Sequence, residues 1–215
     1  MATLVDNFDS YSTGDLNGQG SWSGSTNWDV QNSVSQSSPN AAACSVTGSD
    51  ISKSMTATAT GNEVFYIQCS TQAPGTNSSV RFNDQSSTFS FGIFMNDGGQ
   101  IQGNGSGTDN LGAWSVDTWY KVEVEWRVSD TSYRARINDG AWSSWFNTAT
   151  DFTTVDSTTL RSALGGAGTF YVDSFSDPNA VGPANLKTLN GIADASIKTI
   201  NGIAIASVKS YDGIV

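Results

Sequence analysis

Hydrophobic and polar positions alternate with a period of two along residues 119–128. One set, predicted to face a core, contains Tyr120, Val122, Val124, Trp126 and Val128. The intervening set contains Trp119, Lys121, Glu123, Glu125 and Arg127. A period of two over this length predicts a β-strand with one packed face and one wet face, as in antiparallel sheets.

Similar patterns recur through the first 180 residues. Further runs rich in β-branched and aromatic residues lie at residues 63–69, 79–82, 88–95, 133–137 and 169–175. Clusters of Gly, Asn and Asp separate several of these runs and are typical of turns. Because no stretch shows a helical period, the pattern predicts an all-β fold of two antiparallel sheets.

Residues 119–137 predict a β-hairpin whose loop is residues 129–132. This loop places Glu125 opposite Arg136, with Arg134 on the same face. Opposite charges across a strand pair stabilise it by a few tenths to about 1 kcal/mol. Ion pairing therefore accounts for the Glu-x-Glu and Arg-x-Arg patterns without catalysis, and it would keep the carboxylates ionised.

The end of the chain repeats itself with a period of eleven residues, at 186–196, 197–207 and a shortened copy at 208–215. Each copy carries Asn-Gly or Asp-Gly, which favour two-residue turns, between small or β-branched residues. So short a ribbon buries little surface by itself, so we interpret it as a docking or oligomerisation tail. The positions expected to mediate docking are Leu186, Asn190, Gly191, Ile197, Asn201, Gly202, Val208 and Tyr211.

Three segments follow from these patterns. Residues 1–178 form the predicted sandwich, residues 179–184 form a linker stiffened by Pro183, and residues 185–215 form the repeat tail.

The charge balance excludes some partners. The formal net charge is −10, with 10 basic and 20 acidic residues, so nucleic acid is not expected as a partner. No histidine is present, which removes the commonest general base and metal ligand. The chain as written begins without a secretory signal, and no run approaches the roughly 20 apolar residues of a membrane span.

Two cysteines, Cys44 and Cys69, allow two interpretations. They could form a single disulfide between neighbouring strands, or they could be buried thiols that behave as small hydrophobic residues.

Several segments, in their order along the chain, resemble bacterial and phage concanavalin A-like lectin/glucanase domains. They are the opening at residues 7–22, the strand at 119–126, the Arg-Ile-Asn-Asp-Gly turn at 136–140 and the closing run at 170–174. The resemblance implies a jelly roll with one concave sheet, in a superfamily dominated by carbohydrate binding and β-glucan cleavage. The tail repeat resembles C-terminal segments of phage structural proteins.

The resembled glucanases carry a Glu-x-Asp-x-x-Glu strand with a nucleophile and an acid. The only glutamates here are Glu63, Glu123 and Glu125, and none lies in that motif. A Ser-His-Asp triad is impossible without histidine. We therefore expect that the protein is not an enzyme.

Sugar binding is the alternative that the resemblance favours. Trp114, Tyr133, Trp142 and Trp145 lie in or near predicted loops, where aromatic rings could stack on sugars. The Trp142-Ser-Ser-Trp145 cluster is the strongest of these candidates. Core packing is the competing explanation for any tryptophan, and it is the one we expect for Trp22, Trp28 and Trp126.

The resembled domains often hold a structural calcium ion where the first and last strands meet. Asp6, Asp9 and Asp173 are the positions here that the resemblance implies as ligands. Many Asp residues in such a sequence simply belong to turns.

Together these features predict a virion component, such as a capsid decoration, head-fibre or tail-fibre protein. Its partners would be other virion subunits through the tail, further copies of the same chain, and surface glycans. It would act on a virion surface or otherwise outside the cell. The alternatives are a secreted carbohydrate-binding module or adhesin, and a divergent glycoside hydrolase.

Overall fold

A computed structural model describes residues 4–176, apart from residues 38, 74, 85, 87 and 165–167, together with four two-residue strands near the C-terminus. The chain divides into two compact units, Met1–Asp177 and Pro178–Val215. The first seven strands are β1 (Gly14–Asp15), β2 (Trp22–Gly24), β3 (Trp28–Gln31), β4 (Ala41–Cys44), β5 (Ser49–Thr58), β6 (Thr60–Cys69) and β7 (Asn77–Asp84). The next eight are β8 (Phe89–Asn96), β9 (Gln100–Asn104), β10 (Thr108–Ala113), β11 (Tyr120–Arg127), β12 (Ser132–Ile137), β13 (Phe146–Asn147), β14 (Val155–Ser162) and β15 (Phe170–Ser176).

These fifteen strands form two antiparallel sheets that pack face to face, so the prediction of an all-β sandwich is confirmed. The eight-stranded sheet has the order β1-β3-β4-β15-β6-β11-β12-β13. The seven-stranded sheet has the order β10-β9-β8-β7-β14-β5-β2. The described residues include no helix, and so none that could span a membrane.

Aromatic side chains join the two sheets. Phe91 of β8 stacks on Phe82 of β7 at 4.9 Å and on Tyr133 of β12 at 4.7 Å between ring centroids. Trp126 lies beside Phe82 at 5.6 Å. Each such ring, when fully buried, contributes roughly 1.5–3 kcal/mol of transfer free energy. This cluster therefore fixes the two sheets against each other.

The β11–β12 hairpin forms as predicted, but its register differs by two residues. Glu125 lies opposite Arg134, and Glu123 lies opposite Arg136. The turn begins one residue earlier than expected and is closed by a hydrogen bond from the Thr131 N–H to the carbonyl of Val128 at 3.1 Å. A shift of two residues keeps every side chain on its face, so the predicted Glu–Arg pairing survives with different partners.

Both cysteines are buried free thiols. Cys44 on β4 and Cys69 on β6 pair with Phe170 from opposite sides, with β15 between them. Two strand spacings separate their Cα atoms by about 10 Å. A disulfide requires Cα atoms within about 7 Å, so the buried-thiol interpretation fits this fold.

Four short strands are described in the second unit. β16 (Thr188–Leu189) pairs with β17 (Ile192–Ala193), and β18 (Thr199–Ile200) pairs with β19 (Ile203–Ala204). The two hairpins repeat with the eleven-residue period of the sequence, and two residues separate the strands within each. The β-repeat tail of the predicted fold is confirmed at this level.

Candidate functional site

The Trp142–Trp145 segment runs back along the edge of β12. Asn138 and Asp139 both adopt positive φ, at 50° and 57°, which reverses the chain after β12 in a tight turn. Ser143 then donates its N–H to the carbonyl of Ala135 at 2.9 Å, and its hydroxyl accepts the Ala135 N–H at 3.0 Å. These two hydrogen bonds hold the segment beside β12 in place of a regular strand.

The two tryptophan rings stack on three arginines of the hairpin. The guanidinium carbon of Arg134 lies 4.7 Å from the ring centroids of both Trp142 and Trp145. Arg136 lies 4.7 Å from Trp142, and Arg127 lies 3.8 Å from Trp145. We call these five side chains the Trp–Arg ladder. Each such contact stabilises by about 0.5–1 kcal/mol at an exposed site and by more where water is excluded.

Carboxylates neutralise the ladder. Arg136 pairs with Glu123 and Arg134 pairs with Glu125, both at 2.6 Å, on the outer face of the eight-stranded sheet. Glu123 was predicted to face solvent, but this network covers it and it is buried. A third pair joins Arg127 to Asp130 at 2.5 Å. Because each arginine has a carboxylate partner, the ladder carries no excess charge with which to attract an ion.

A lysine adds to this network. Lys121 contacts Glu123 at 3.0 Å and Asp139 at 2.6 Å. Partial burial opposes its charged form, but the hydrogen bonds to Asp139 and Glu123 raise the pKa of Lys121 overall. The same bond lowers the pKa of Asp139, and the hydrogen bond from Arg127 lowers the pKa of Asp130. The network is therefore built of oppositely charged side chains in direct contact.

The ladder places limits on Trp142 and Trp145 as sugar platforms. Both residues are half-buried, and arginines lie over their ring faces. A sugar would have to use the remaining exposed ring surface. Binding at these tryptophans stays a prediction, and their visible role is to stiffen the β12 edge.

The other two aromatic candidates lie in the core, which differs from the expectation. Tyr133 is fully buried between Phe91 and Phe146, and burial raises the pKa of its hydroxyl. Trp114 is 4% exposed and donates its ring N–H to the carbonyl of Asn96 at 3.1 Å. Neither ring presents a face on which a ligand could stack.

The three aspartates considered for calcium have other partners. Asp6 pairs with Lys53 at 2.7 Å and accepts hydrogen bonds from Tyr11 and Trp22 at 2.7 and 2.8 Å. Asp173 is buried and accepts the N–H groups of residues 36 and 37, both at 2.9 Å. Burial raises the pKa of Asp173, although these amide bonds oppose the rise.

Asp9 accepts hydrogen bonds from Asn7 and from the N–H of Asn40. The first segment does meet the last strand, because Asp6 and Phe175 exchange backbone hydrogen bonds. In the described part of the chain, however, no three acidic or thiol side chains converge as metal ligands would. Calcium binding stays a prediction. Asp6, Asp9 and Asp173 do not suit it as ligands, because their carboxylates already accept hydrogen bonds from the protein and are not grouped.

A different surface, on the outer face of the seven-stranded sheet, has the form of a binding site. A cavity of about 310 Å³ opens above β8 and β9. Its walls are neutral amides and hydroxyls, its floor includes the nearly buried ring of Phe94, and one acid stands at its rim. The lining comprises Gly75, Thr76, Asn77, Phe94, Asn96, Asp97, Gln102, Asn104 and Thr108. We call it the amide cleft.

Strand register explains how these residues converge. Phe94 lies opposite Gln102, Asn96 lies opposite Asn77, and Asn104 lies opposite Thr108. The outward positions of β7 to β10 therefore form adjacent rows about 4.8 Å apart. The only sign of this cleft in the sequence was the alternation of amide residues, such as Gln102 and Asn104. The same pattern occurs on any solvent-facing strand, so it does not indicate a cleft until the strand order is known.

All eight positions predicted for docking in the tail lie outside the described residues. They are Leu186, Asn190, Gly191, Ile197, Asn201, Gly202, Val208 and Tyr211.

No protein-family model matches the chain, and no curated protein matches it. Solved structures do share its fold. A sialidase matches over 82% of this chain and 18% of its own, with a TM-score of 0.63 and 12% identity. The Trypanosoma rangeli sialidase in complex with the inhibitor DANA matches over 76% of this chain and 29% of its own, with a TM-score of 0.51 and 12% identity.

The apo Crh5 transglycosylase matches over 80% of this chain and 82% of its own, with a TM-score of 0.53 and 16% identity. The chain thus spans less than a third of the length of the two sialidases but matches most of the Crh5 chain. At these identities the likeness shows a shared β-sandwich fold, which fits the resemblance to concanavalin A-like domains.

The expectation that the protein is not an enzyme is wrong. It rested on the absence of one glucanase motif and of histidine. The fold itself is shared with sialidases and, over most of its length, with a transglycosylase. The absence of one motif therefore cannot exclude an activity on glycosides.

Proposed function

We propose that this protein binds carbohydrate and that the amide cleft is the binding site. The observation that carries the proposal is the grouping of neutral amides around Phe94 in one cavity. Sugar hydroxyls both donate and accept hydrogen bonds, and Asn and Gln side chains provide both functions without charge. Sites for small ligands typically combine a concave surface, an apolar floor and a few polar groups of this kind.

The cleft sets the expected size and affinity of the ligand. Its volume lies at the lower end of the range for ligand pockets, which suits one or two sugar rings. Four hydrogen bonds at about 1 kcal/mol net each correspond to a Kd on the order of 1 mM. Phe94 adds little stacking, because only 5% of its surface is exposed. We therefore expect each amide cleft to bind its sugar weakly. Binding should be tighter when several copies of the protein contact one glycan surface together.

The proposal can be tested on a broad glycan array, followed by titration of any hit in solution. Gln102→Ala and Asn104→Ala should weaken binding, because each removes an amide from the wall of the cleft. Trp142→Ala and Trp145→Ala are the matched controls on the opposite sheet and should leave affinity unchanged. Loss of binding in the tryptophan variants alone would move the site to the Trp–Arg ladder and refute the cleft.

A second candidate is a glycoside-processing enzyme, favoured by the match over most of the Crh5 transglycosylase. Glu123 and Glu125 are the only two glutamates on one strand, where they are two residues apart, but Arg136 and Arg134 hold them as ion pairs. Oligosaccharides incubated with the protein should be examined for both hydrolysed and lengthened products. Activity that disappears in Glu123→Gln or Glu125→Gln would establish this candidate and assign the hairpin as its site.

The setting in which the sandwich acts is a separate proposal that rests on the eleven-residue repeat. The tail would attach the domain to a larger assembly, such as a virion surface, or bring copies of the chain together. A secreted module or adhesin is the alternative setting. A chain that ends at Pro183 should lose its oligomeric state or its attachment to particles, and unchanged behaviour would refute the attachment role.

A further inference from the structure

Arg81 is an unusual basic residue of this fold. It lies on β7, half-buried on the outer face of the seven-stranded sheet. Its guanidinium carbon lies 5.4 Å from the ring centroid of Phe89 and 5.5 Å from that of Phe94. Its Nε donates to the hydroxyl of Ser79 at 3.2 Å. Two aromatic rings and one hydroxyl therefore fix the position of the group before any ligand arrives.

The guanidinium of Arg81 has no carboxylate partner within the residues that the structure describes. The other basic side chains of the sandwich all have one, at 2.5–3.3 Å: Lys53, Lys121, Arg127, Arg134, Arg136 and Arg161. An arginine carries five N–H donors, and those on the terminal nitrogens of Arg81 meet no acceptor among the described residues. They remain available to a ligand.

Arg81 and the amide cleft share one row of the sheet. Thr159, Arg81, Gly92, Asn104 and Thr108 are successive partners across five strands. Gly92 lies between Arg81 and the cleft residue Asn104. Gly92 is buried, because an added Cβ atom would lie 2.9 Å from the carbonyl oxygen of Val80 and 3.1–3.2 Å from the rings of Phe94 and Phe89, which cover it. Phe94 lines the cleft and also lies 5.5 Å from the guanidinium carbon, so its ring joins the cleft to Arg81.

No carboxylate contacts Arg81 among the described residues, although charges lie nearby. Partial burial and the neighbouring charge of Arg161 lower the pKa of Arg81 from its ordinary value, and the charge of Asp50 partly opposes this. An arginine stays charged at any physiological pH, so the folded protein carries this partly buried charge with no anion in direct contact among the described residues. The whole sandwich is acidic, so an anion would gain from this local contact alone and not from the overall field.

We infer that the ligand of the amide cleft is an acidic saccharide, with a carboxylate or sulfate group that contacts Arg81. This inference rests on the proposed function of the cleft. A planar guanidinium matches either group with two parallel hydrogen bonds. The amides of the cleft would bind the hydroxyls of the same sugar or of the next one along the row.

The test is titration of wild-type protein with matched pairs of oligosaccharides. Oligogalacturonides are compared with the same oligosaccharides after reduction of their carboxyl groups, and a sulfated galactan is compared with its desulfated form. Wild-type protein should bind the acidic member of at least one pair more tightly, by about 10- to 100-fold. The pair that shows the difference tells carboxylate from sulfate.

Three variants distinguish a direct contact with Arg81 from an effect of the protein's overall charge. Arg81→Gln should abolish the preference for the acidic member and keep the weak binding of the neutral one. Arg81→Lys should keep part of the preference, because it keeps the charge and loses the planar fork. Arg161→Gln is the matched control, since Arg161 lies on the same face and is paired with Asp50. It should retain the preference, and all three variants are checked for an unchanged unfolding midpoint.

The role of Arg81 and the role of the amide cleft can fail separately in this experiment. Equal binding of acidic and neutral saccharides, unaffected by Arg81→Gln but weakened by Gln102→Ala, would overturn the role of Arg81 and leave the cleft standing. If Arg161→Gln lost the preference for the acidic saccharide as fully as Arg81→Gln, a specific contact with Arg81 would be refuted. The preference would then come from the overall positive charge of this face. No binding of any member would overturn the cleft and the inference together.

Discussion

Replacement of Asp6 by alanine should be among the most destabilising single changes in the sandwich. The carboxylate is 4% exposed, and its partner Lys53 is 15% exposed. It also accepts hydrogen bonds from the Trp22 ring N–H, the Tyr11 hydroxyl and the N–H of Phe8. These contacts tie the first segment of the chain to β2 and β5. Alanine would leave one buried cation and three donors without their acceptor.

The expected loss can be worked from these contacts. Removal of one member of a buried ion pair typically costs about 3–5 kcal/mol, because the other charge stays buried. The neutral hydrogen bonds, worth about 0.5–1.5 kcal/mol each, overlap with this cost and do not simply add to it. We expect Asp6→Ala to lower the free energy of unfolding by about 4 kcal/mol. Lys53→Met should cost less, because the carboxylate would keep its three other donors.

Urea denaturation followed by tryptophan fluorescence measures this loss, with the slope checked for a change in the unfolded state. The matched control is Asp50→Ala, whose pair with Arg161 is longer, at 3.3 Å, and more exposed. That surface pair should contribute about 0–1 kcal/mol. A loss in Asp6→Ala no larger than in Asp50→Ala would refute the reasoning. If added calcium stabilised wild-type protein and not Asp6→Ala, the carboxylate would be a metal ligand after all.

Three further predictions concern other parts of the sandwich. The buried hydroxyl of Tyr133 has no hydrogen-bond partner among the described residues, so Tyr133→Phe should leave the unfolding free energy unchanged or raise it by about 1 kcal/mol in the same urea assay. The pKa of Asp173 is raised in the folded state, so the folded protein binds this proton more tightly and loses stability as the pH rises from its ordinary pKa of 3.8. Wild type should therefore lose stability relative to Asp173→Asn as the pH rises above 3.8, and a constant difference would contradict this sign. Trp145→Ala removes two guanidinium contacts of the Trp–Arg ladder and should cost about 1–2 kcal/mol, whereas Trp145→Phe should cost less, as unfolding curves would show.

The strand pattern of this protein could be predicted well wherever alternation was strong. Residues 119–128 alternate clearly, and the faces assigned to Val124 and Glu125 are those of the structure. The register of the hairpin was missed by two residues, because a turn can form one residue earlier at no cost to the facing pattern. The observed turn is closed by a hydrogen bond from the Thr131 N–H to the carbonyl of Val128, with Thr131 at positive φ, and no sequence motif indicates this.

The candidate site was harder to predict, for physical reasons. Tyr133 is adjacent to a turn in the sequence, but it shares the inward face of β12 with Ala135, and that parity decides its burial. The amide cleft depends on strands β7 to β10 lying side by side with a given register. The neutral amides of the cleft form no recognisable sequence motif. In the sequence Arg81 resembles any surface arginine, and only the structure shows that no carboxylate contacts it among the described residues.

The thiols of Cys44 and Cys69, on either side of Phe170, can report local opening of the eight-stranded sheet. Burial raises the pKa of Cys69, so the reactive thiolate is suppressed as well as shielded. Both sulfurs are buried, so a thiol reagent reaches them only when the structure around them opens, and the rate of labelling measures how often that happens.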